Sequence, residues 1–227
     1  MNNLRFSRSP LCVSLAAAML AGCGGSQPAI GVAGAMPQSV AMSHVRTTSG
    51  SEDCPALPEG TGILPDGDFS QAIDPEQKGP TYKKGYVFAP DWEVSKGNID
   101  FNGSLGWGGE GLDNLCSVDL DGYYKVGGIK TSAFQTHKGA LYTLSFTFSG
   151  NGGGPPTVKT MKVEIDHQFT TFTWNISGGN NVQNNDYATE TWKFTGGKEP
   201  AIITLMSEDP KKSTYGPVVA GMAITKD

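Results

Sequence analysis

The chain has 227 residues, of which 31 are Gly and 14 Pro, with 17% charged residues and a net charge of −5. That length holds one sizeable domain plus processing segments, and the Gly and Pro content, with no window of helical periodicity, points away from helices and toward strands and turns. There is no basic stripe to neutralise phosphates, which sets nucleic acid aside as a partner.

Taken in order, Arg5 and Arg8 precede an apolar run from Leu11 to Leu20, too short for a permanent membrane-spanning helix. Residues 1–22 therefore read as a secretory signal. Leu20-Ala21-Gly22-Cys23 resembles the cleavage box of bacterial lipoproteins, and the resemblance implies cleavage before Cys23 and acylation of that residue. Several acyl chains on one residue anchor firmly, where a single chain holds only marginally. Loss of Arg5 and Arg8 would leave 15 basic against 22 acidic residues, a net charge of about −7.

Residues 23–60 are rich in Gly, Ser, Ala, Pro and Gln and read as a flexible tether, because nothing there buries enough surface to offset chain entropy. His44 inside it has no neighbouring ligand residue and reads as spacer. With Cys12 in the leader and Cys23 lipidated, Cys54 and Cys116 remain. An exported chain with two such cysteines favours a disulfide, which would stabilise the fold by roughly 2–4 kcal/mol. The alternative is two unpaired thiols, neither with a partner at metal-ligand spacing.

Residues 61–227 form the domain. Ile63 to Phe69 reads as a short edge strand with a turn, and 74–85 as a loop. Trp92 to Val94 and Asn98 to Phe101 read as strands across a turn, followed by a Gly-rich segment carrying Trp107. Cys116 to Gly122 alternates, with Asp119 and Asp121 expected on the solvent side of Val118 and Leu120; Gly128 to Gln135 comes next. In ALYTLSFTF the residues Tyr142, Leu144, Phe146 and Phe148 share one face; in VKTMKVEID Met161, Val163 and Ile165 do. The intervening Gly and Pro residues stop both strands, and the expectation is an antiparallel pair. Further strands are expected at 169–176, 189–195, 201–207 and 218–225. Nine or ten short strands without helices indicate an all-β sandwich of two antiparallel sheets.

ILPDGDF, DWEVSKGNIDF, CSVDLDG, ALYTLSFTFSGNGGGPPTVKTMKV, TWKFTG and YGPVVAGMAIT follow the order found in the bacterial choice-of-anchor C proteins. Those are similar to plant cell-wall proteins of domain-of-unknown-function family 642. The match covers roughly residues 61–227, and its most specific parts are SGNGGGPPTVKTMKV and Tyr215-Gly216-Pro217. The resemblance implies a galactose-binding-like jelly-roll sandwich, a cell-surface setting, and binding to cell-wall or extracellular polysaccharide. Many such jelly rolls hold a structural calcium, but Ser70 and Ala220 stand where its acids would be expected. Asp66 and Asp68 could serve a displaced site; the expectation is no calcium and no other cofactor or metal.

Trp92, Trp174 and Trp192 fall on the apolar phase of their strands and read as core. Trp107, flanked by Gly106, Gly108 and Gly109, reads either as an exposed platform for a pyranose ring or as a ring folded over the sandwich end. Tyr82 and Tyr86 are second candidates for ligand contact, and Tyr215 reads as structural. No carboxylate pair, histidine or Gly-rich loop assembles a catalytic or phosphate-binding motif, so no catalytic residue is assigned. The expectation is a non-catalytic, monomeric, lipid-anchored module at the bacterial cell surface or in the periplasm that binds polysaccharide. The alternative is a structural or protein-interaction module of the envelope without sugar affinity; a hydrolase ranks third.

Overall fold

The computed structural model describes residues 62–73, 78–103, 116–179, 186–197 and 200–227. In chain order the strands are β1 (Lys78–Lys83), β2 (Val87–Ala89), β3 (Trp92–Lys96), β4 (Asn98–Asn102), β5 (Ser117–Asp119), β6 (Asp121–Gly122) and β7 (Lys125–Val126). They continue with β8 (Gly128–Thr131), β9 (Leu141–Gly150), β10 (Val158–Ile165), β11 (Gln168–Asn175), β12 (Ala188–Thr195), β13 (Ile203–Ser207) and β14 (Pro217–Lys226). One sheet has the order β1-β4-β5-β14-β9-β12, the other β11-β10-β13-β8-β3-β2, and β6-β7 forms a separate hairpin. The described pairings are antiparallel, and the chain passes repeatedly from one sheet to the other, which makes the sandwich a jelly roll. Among the described residues the only helical turn is a 3-10 turn at Ile176–Gly178.

Alternation explains which side chains meet between the layers. Tyr142, Leu144, Phe146 and Phe148 of β9 point inward, as do Met161, Val163 and Ile165 of β10. The Phe146 ring meets Phe172 edge-on at 4.9 Å, and Phe148 meets Trp174 at 6.0 Å, so aromatic contacts tie one sheet to the other. Trp92 is fully buried; Trp174 and Trp192 are half-buried against the core.

Several sequence expectations are corrected. β9 and β10 do not pair: β9 lies between β12 and β14, and β10 between β11 and β13. Alternation decides which face is apolar, not which strand lies alongside, and the loop from Asn151 to Thr157 crosses between layers. β3 and β4 likewise lie in different sheets, with Gly97 at φ +52 turning the chain between them. Residues 62–69 form turns rather than an edge strand, held by the Ile63 amide on Ile224 O at 2.8 Å and the Met222 amide on Gly67 O at 2.7 Å. Part of the expected 74–85 loop is β1, paired with β4. Asp119 and Asp121 are fully buried instead of facing water, because the 209–216 loop closes over the end of β5.

Candidate functional site at one end of the sandwich

Trp107, Cys23 and Cys54 lie outside the described residues. Cys116 is fully buried and disulfide-bonded, to a partner outside them. Tyr82 and Tyr86 are described, and the fold brings them together.

The turn joining β1 to β2 is fixed by its backbone. Tyr86 N–H donates to Lys83 O at 3.0 Å, Lys84 N–H to Gly97 O at 2.9 Å, and Gly85 N–H to Val94 O at 2.8 Å. Gly85 sits at φ +90, which a side-chain-bearing residue would resist. The Tyr86 ring then lies parallel to that of Tyr82, with centroids 4.3 Å apart and an interplanar angle of 11°. Tyr82 is 9% exposed and Tyr86 38%, so Tyr82 is a backing ring and Tyr86 the one that meets solvent. Tyr82 leans on Phe88 and Phe101 at 6.4 and 6.5 Å, Phe88 on Phe69 at 5.8 Å, and Phe69 on Trp92 at 5.1 Å. A train of rings thus runs from the core to a half-exposed phenol. Such a ring is already held in place before a ligand arrives, so little side-chain entropy is lost on contact.

A second pair of rings stands nearby. Tyr123 and Tyr124 form the tip of the β6-β7 hairpin, 66% and 59% exposed, with ring centroids 4.3 Å apart. Asn98 Nδ2 donates to Tyr123 O at 3.4 Å, and the Tyr124 amide donates to Thr214 Oγ1 at 3.2 Å. Gly122 and Gly127 press on Asn98 so closely that a Cβ on Gly127 would lie 1.9 Å from Asn98 O. Asn98 also pairs with Lys83 at the end of β1, so Gly97 and Asn98 join the Tyr86 turn to the hairpin. Sequence reading missed Tyr123 and Tyr124; the signal was two adjacent rings in a segment with no apolar alternation to bury them.

Behind this rim lies a sealed polar cluster. Asp119 Oδ1 accepts the amides of Asp121 at 2.8 Å and Gly216 at 3.0 Å, and Oδ2 accepts Asn151 Nδ2 at 2.7 Å. Lys159 Nζ donates to Gly154 O at 2.7 Å and to Tyr215 O, and Asp209 Oδ1 accepts the Thr160 amide at 2.7 Å. The Gly-rich block and the Tyr-Gly-Pro block that carry the family resemblance therefore meet here, as structural neighbours. Burial holds Asp119 well above the usual carboxylate range, and it also raises Asp121 and Asp100. Burial pushes Asp209 up to about 7 and lowers Lys159, against the pull of Asp209, Asp119 and Asp121. Asp121 has the hydroxyls of Ser207 and Ser213 beside it, yet neither carboxylate oxygen has a partner in good hydrogen-bond geometry. Glycoside hydrolysis needs two carboxyls open to a substrate across a cleft; Asp119, Asp121 and Asp209 are shut in, so they organise the loops.

Asp66 and Asp68 cap their own turn. Asp66 Oδ1 accepts the Gln71 amide at 3.1 Å and the Ser70 hydroxyl at 3.3 Å, and Asp68 Oδ1 accepts the Ser70 amide at 3.0 Å. Burial, reinforced by Asp68, pushes Asp66 up to about 7. Ala220 of β14, where an acid was expected, is buried and pairs with Ser117 and Thr147, and calcium takes six to eight oxygens with carboxylates preferred. Among the described residues no group of three or more His, Cys, Asp or Glu side chains is placed to hold a metal ion.

A family model described as "Protein of unknown function (DUF642)" matches residues 62–225. The chain belongs to the DUF642 family. Among curated proteins a sequence search finds no match. Among solved structures, the DUF642 chain is similar to the CBM22-1 xylan-binding domain from Paenibacillus barcinonensis Xyn10C, at 12% identity over 66% of this chain and 96% of that one, with a TM-score of 0.42. It is also similar to TmCBM61 in complex with β-1,4-galactotriose, at 10% identity over 73% and 99% of the two chains and a TM-score of 0.40. A third likeness is a family 35 carbohydrate binding module from Clostridium thermocellum, at 12% identity over 64% and 97%, with a TM-score of 0.38. These are distant likenesses, and the ligands named belong to those proteins.

Proposed function

We propose that this DUF642 protein is a non-catalytic, monomeric module that binds polysaccharide through the tyrosine rim at one end of its sandwich. The observation that carries the reading is Tyr86: a half-exposed ring, stacked at 4.3 Å on nearly buried Tyr82 and backed by aromatics down to Trp92. Pyranose rings present a C–H face that packs on such a surface, while polar groups around it fix the hydroxyls. Trp107 joins the proposal as a further platform.

The setting is part of the same proposal. As in choice-of-anchor C proteins, residues 1–22 would be removed, Cys23 acylated, and residues 23–60 would hold the domain off a bacterial membrane, at the cell surface or in the periplasm. A bridge between Cys54 and Cys116 would then tie the end of the tether to β5.

Affinity electrophoresis of the wild type, Tyr86→Ala and Trp107→Ala through gels containing different polysaccharides tests the binding claim. The wild type should be retarded by at least one polymer and Tyr86→Ala should migrate as in a blank gel. If the wild type runs freely through every polymer while cross-linking captures envelope proteins, the structural-module reading takes its place.

A further inference from the structure

The tyrosine rim is also where exposed cations gather. Lys83 and Lys84 lead into Gly85 and Tyr86, and Lys125 follows Tyr124; all three are exposed. Lys211 and Lys212 form the exposed tip of a turn closed by the Ser213 amide on Pro210 O at 2.7 Å. That turn leads into Thr214, whose hydroxyl accepts the Tyr124 amide. Among the described residues the ion pairs join Lys130 to Glu93, Lys162 to Glu164 and Lys193 to Asp227, none of them on this rim. Among the described residues the acids at this end are mostly turned inward: Asp119, Asp121 and Asp209 are buried, leaving Glu208 exposed beside the lysine turn and Asp100 half-buried against the Thr81 hydroxyl. In a chain of net charge −5, the described residues of this end are locally basic.

The backbone supplies a second, independent observation. Tyr124 sits at φ +54, where a bulky side chain is uncommon and Gly or Asn is the relaxed choice. A large ring is thus held in an unfavourable conformation and presented to water, the pattern expected where contact rather than stability selects the residue.

From this geometry we propose that the rim binds acidic polysaccharide, a polymer bearing carboxylate or sulfate groups. One sugar stacks on Tyr86 while its charged groups lie along Lys83, Lys84 and Lys125, and a second sugar meets the Tyr123–Tyr124 pair across Asn98. The inference rests on the polysaccharide reading above and adds the charge of the ligand and the extent of the site. Each exposed lysine–anion pair is weak and screened by salt, so the charge contribution comes from several acting along one chain.

The test measures binding of the full chain to a uronate polymer, to the same polymer after its carboxyls are reduced to alcohols, and to polyphosphate, at low and high salt. The acidic polymer should bind more tightly than its reduced form, and salt should remove the difference. Lys83→Gln/Lys84→Gln/Lys125→Gln should weaken the acidic polymer about tenfold and leave the reduced one unchanged. Tyr86→Ala should weaken both. Equal binding of acidic and reduced polymers overturns this inference and leaves the polysaccharide reading standing; binding of neither sinks both. Polyphosphate binding as tight as the uronate polymer's overturns it too, since bare charge would then suffice. Should the triple variant fail to fold, Lys84→Gln alone in the same assay decides: unchanged affinity for the acidic polymer counts against the proposal.

Discussion

Beneath Gly216, Asp119 accepts two amides and a carboxamide, and Lys159 donates to two carbonyls. On the rim above, Tyr86, Tyr123 and Tyr124 present rings to water on turns whose backbones are equally well fixed. Both regions are held by hydrogen bonds to the backbone. They differ in what this fixing serves: the buried cluster closes two loops over the end of β5, and the rim offers surfaces left exposed among the described residues.

Replacing Lys159 should break that comparison most violently. Lys159→Met leaves two carbonyls without a donor and the acid cluster without its cation, so unfolding in urea should show a loss of about 3–5 kcal/mol. Gly216→Ala comes next, because its Cβ would lie 2.6 Å from Asp121 Cγ and 2.7 Å from Asp119 Oδ1. Overpacking of that kind should cost about 1–3 kcal/mol, visible in the same unfolding curves. Tyr86→Ala should do the reverse: a stability loss of about 1 kcal/mol from the missing ring contact, with polysaccharide binding weakened at least about tenfold in titration calorimetry.

Acidity sharpens the contrast further. Asp66 and Asp209 hold their protons up to about pH 7 in the folded protein, whereas unfolded carboxyls let go near pH 4. The folded state therefore binds more protons between those limits, so these groups subtract stability as pH rises through the window and restore it on acidification. Urea midpoints should be higher at pH 5 than at pH 8, and Asp209→Asn should flatten the difference. The smallest effect is expected for Tyr124→Asn, which relaxes a φ of +54: the melting temperature should hold or rise slightly while polysaccharide affinity drops.

Much of this architecture is legible in the residues. The inward phases of β9 and β10 follow from strict alternation, and the absence of helical patterning holds, apart from one 3-10 turn, among the described residues. Pairing was not legible, because period two says which side faces the core and is silent about which neighbour shares the hydrogen bonds. Lys159 shows what parity could have revealed: it shares the inward phase with Met161, Val163 and Ile165, so an interior cation was implied by position alone. Asp119 and Asp121 misled for a different reason. Their face is outward by alternation from Val118 and Leu120, and loops remote in sequence, at Asn151 and at 209–216, close over it. The site was half visible: Tyr82 and Tyr86 stood out as loop aromatics, but their stacking depends on a turn clamped by Val94 and Gly97. Tyr123 and Tyr124 gained meaning only once Asn98 tied their hairpin to that turn.

The most direct test is a backbone amide NMR titration of the full chain with oligosaccharides cut from whichever polymer retards it. Shifts concentrated at residues 83–86, 97–98 and 123–125, with the amides around Asp119 and Lys159 unmoved, are the predicted result. Shifts confined to the outer faces of the sheets, with those three segments silent, would contradict a site on the tyrosine rim.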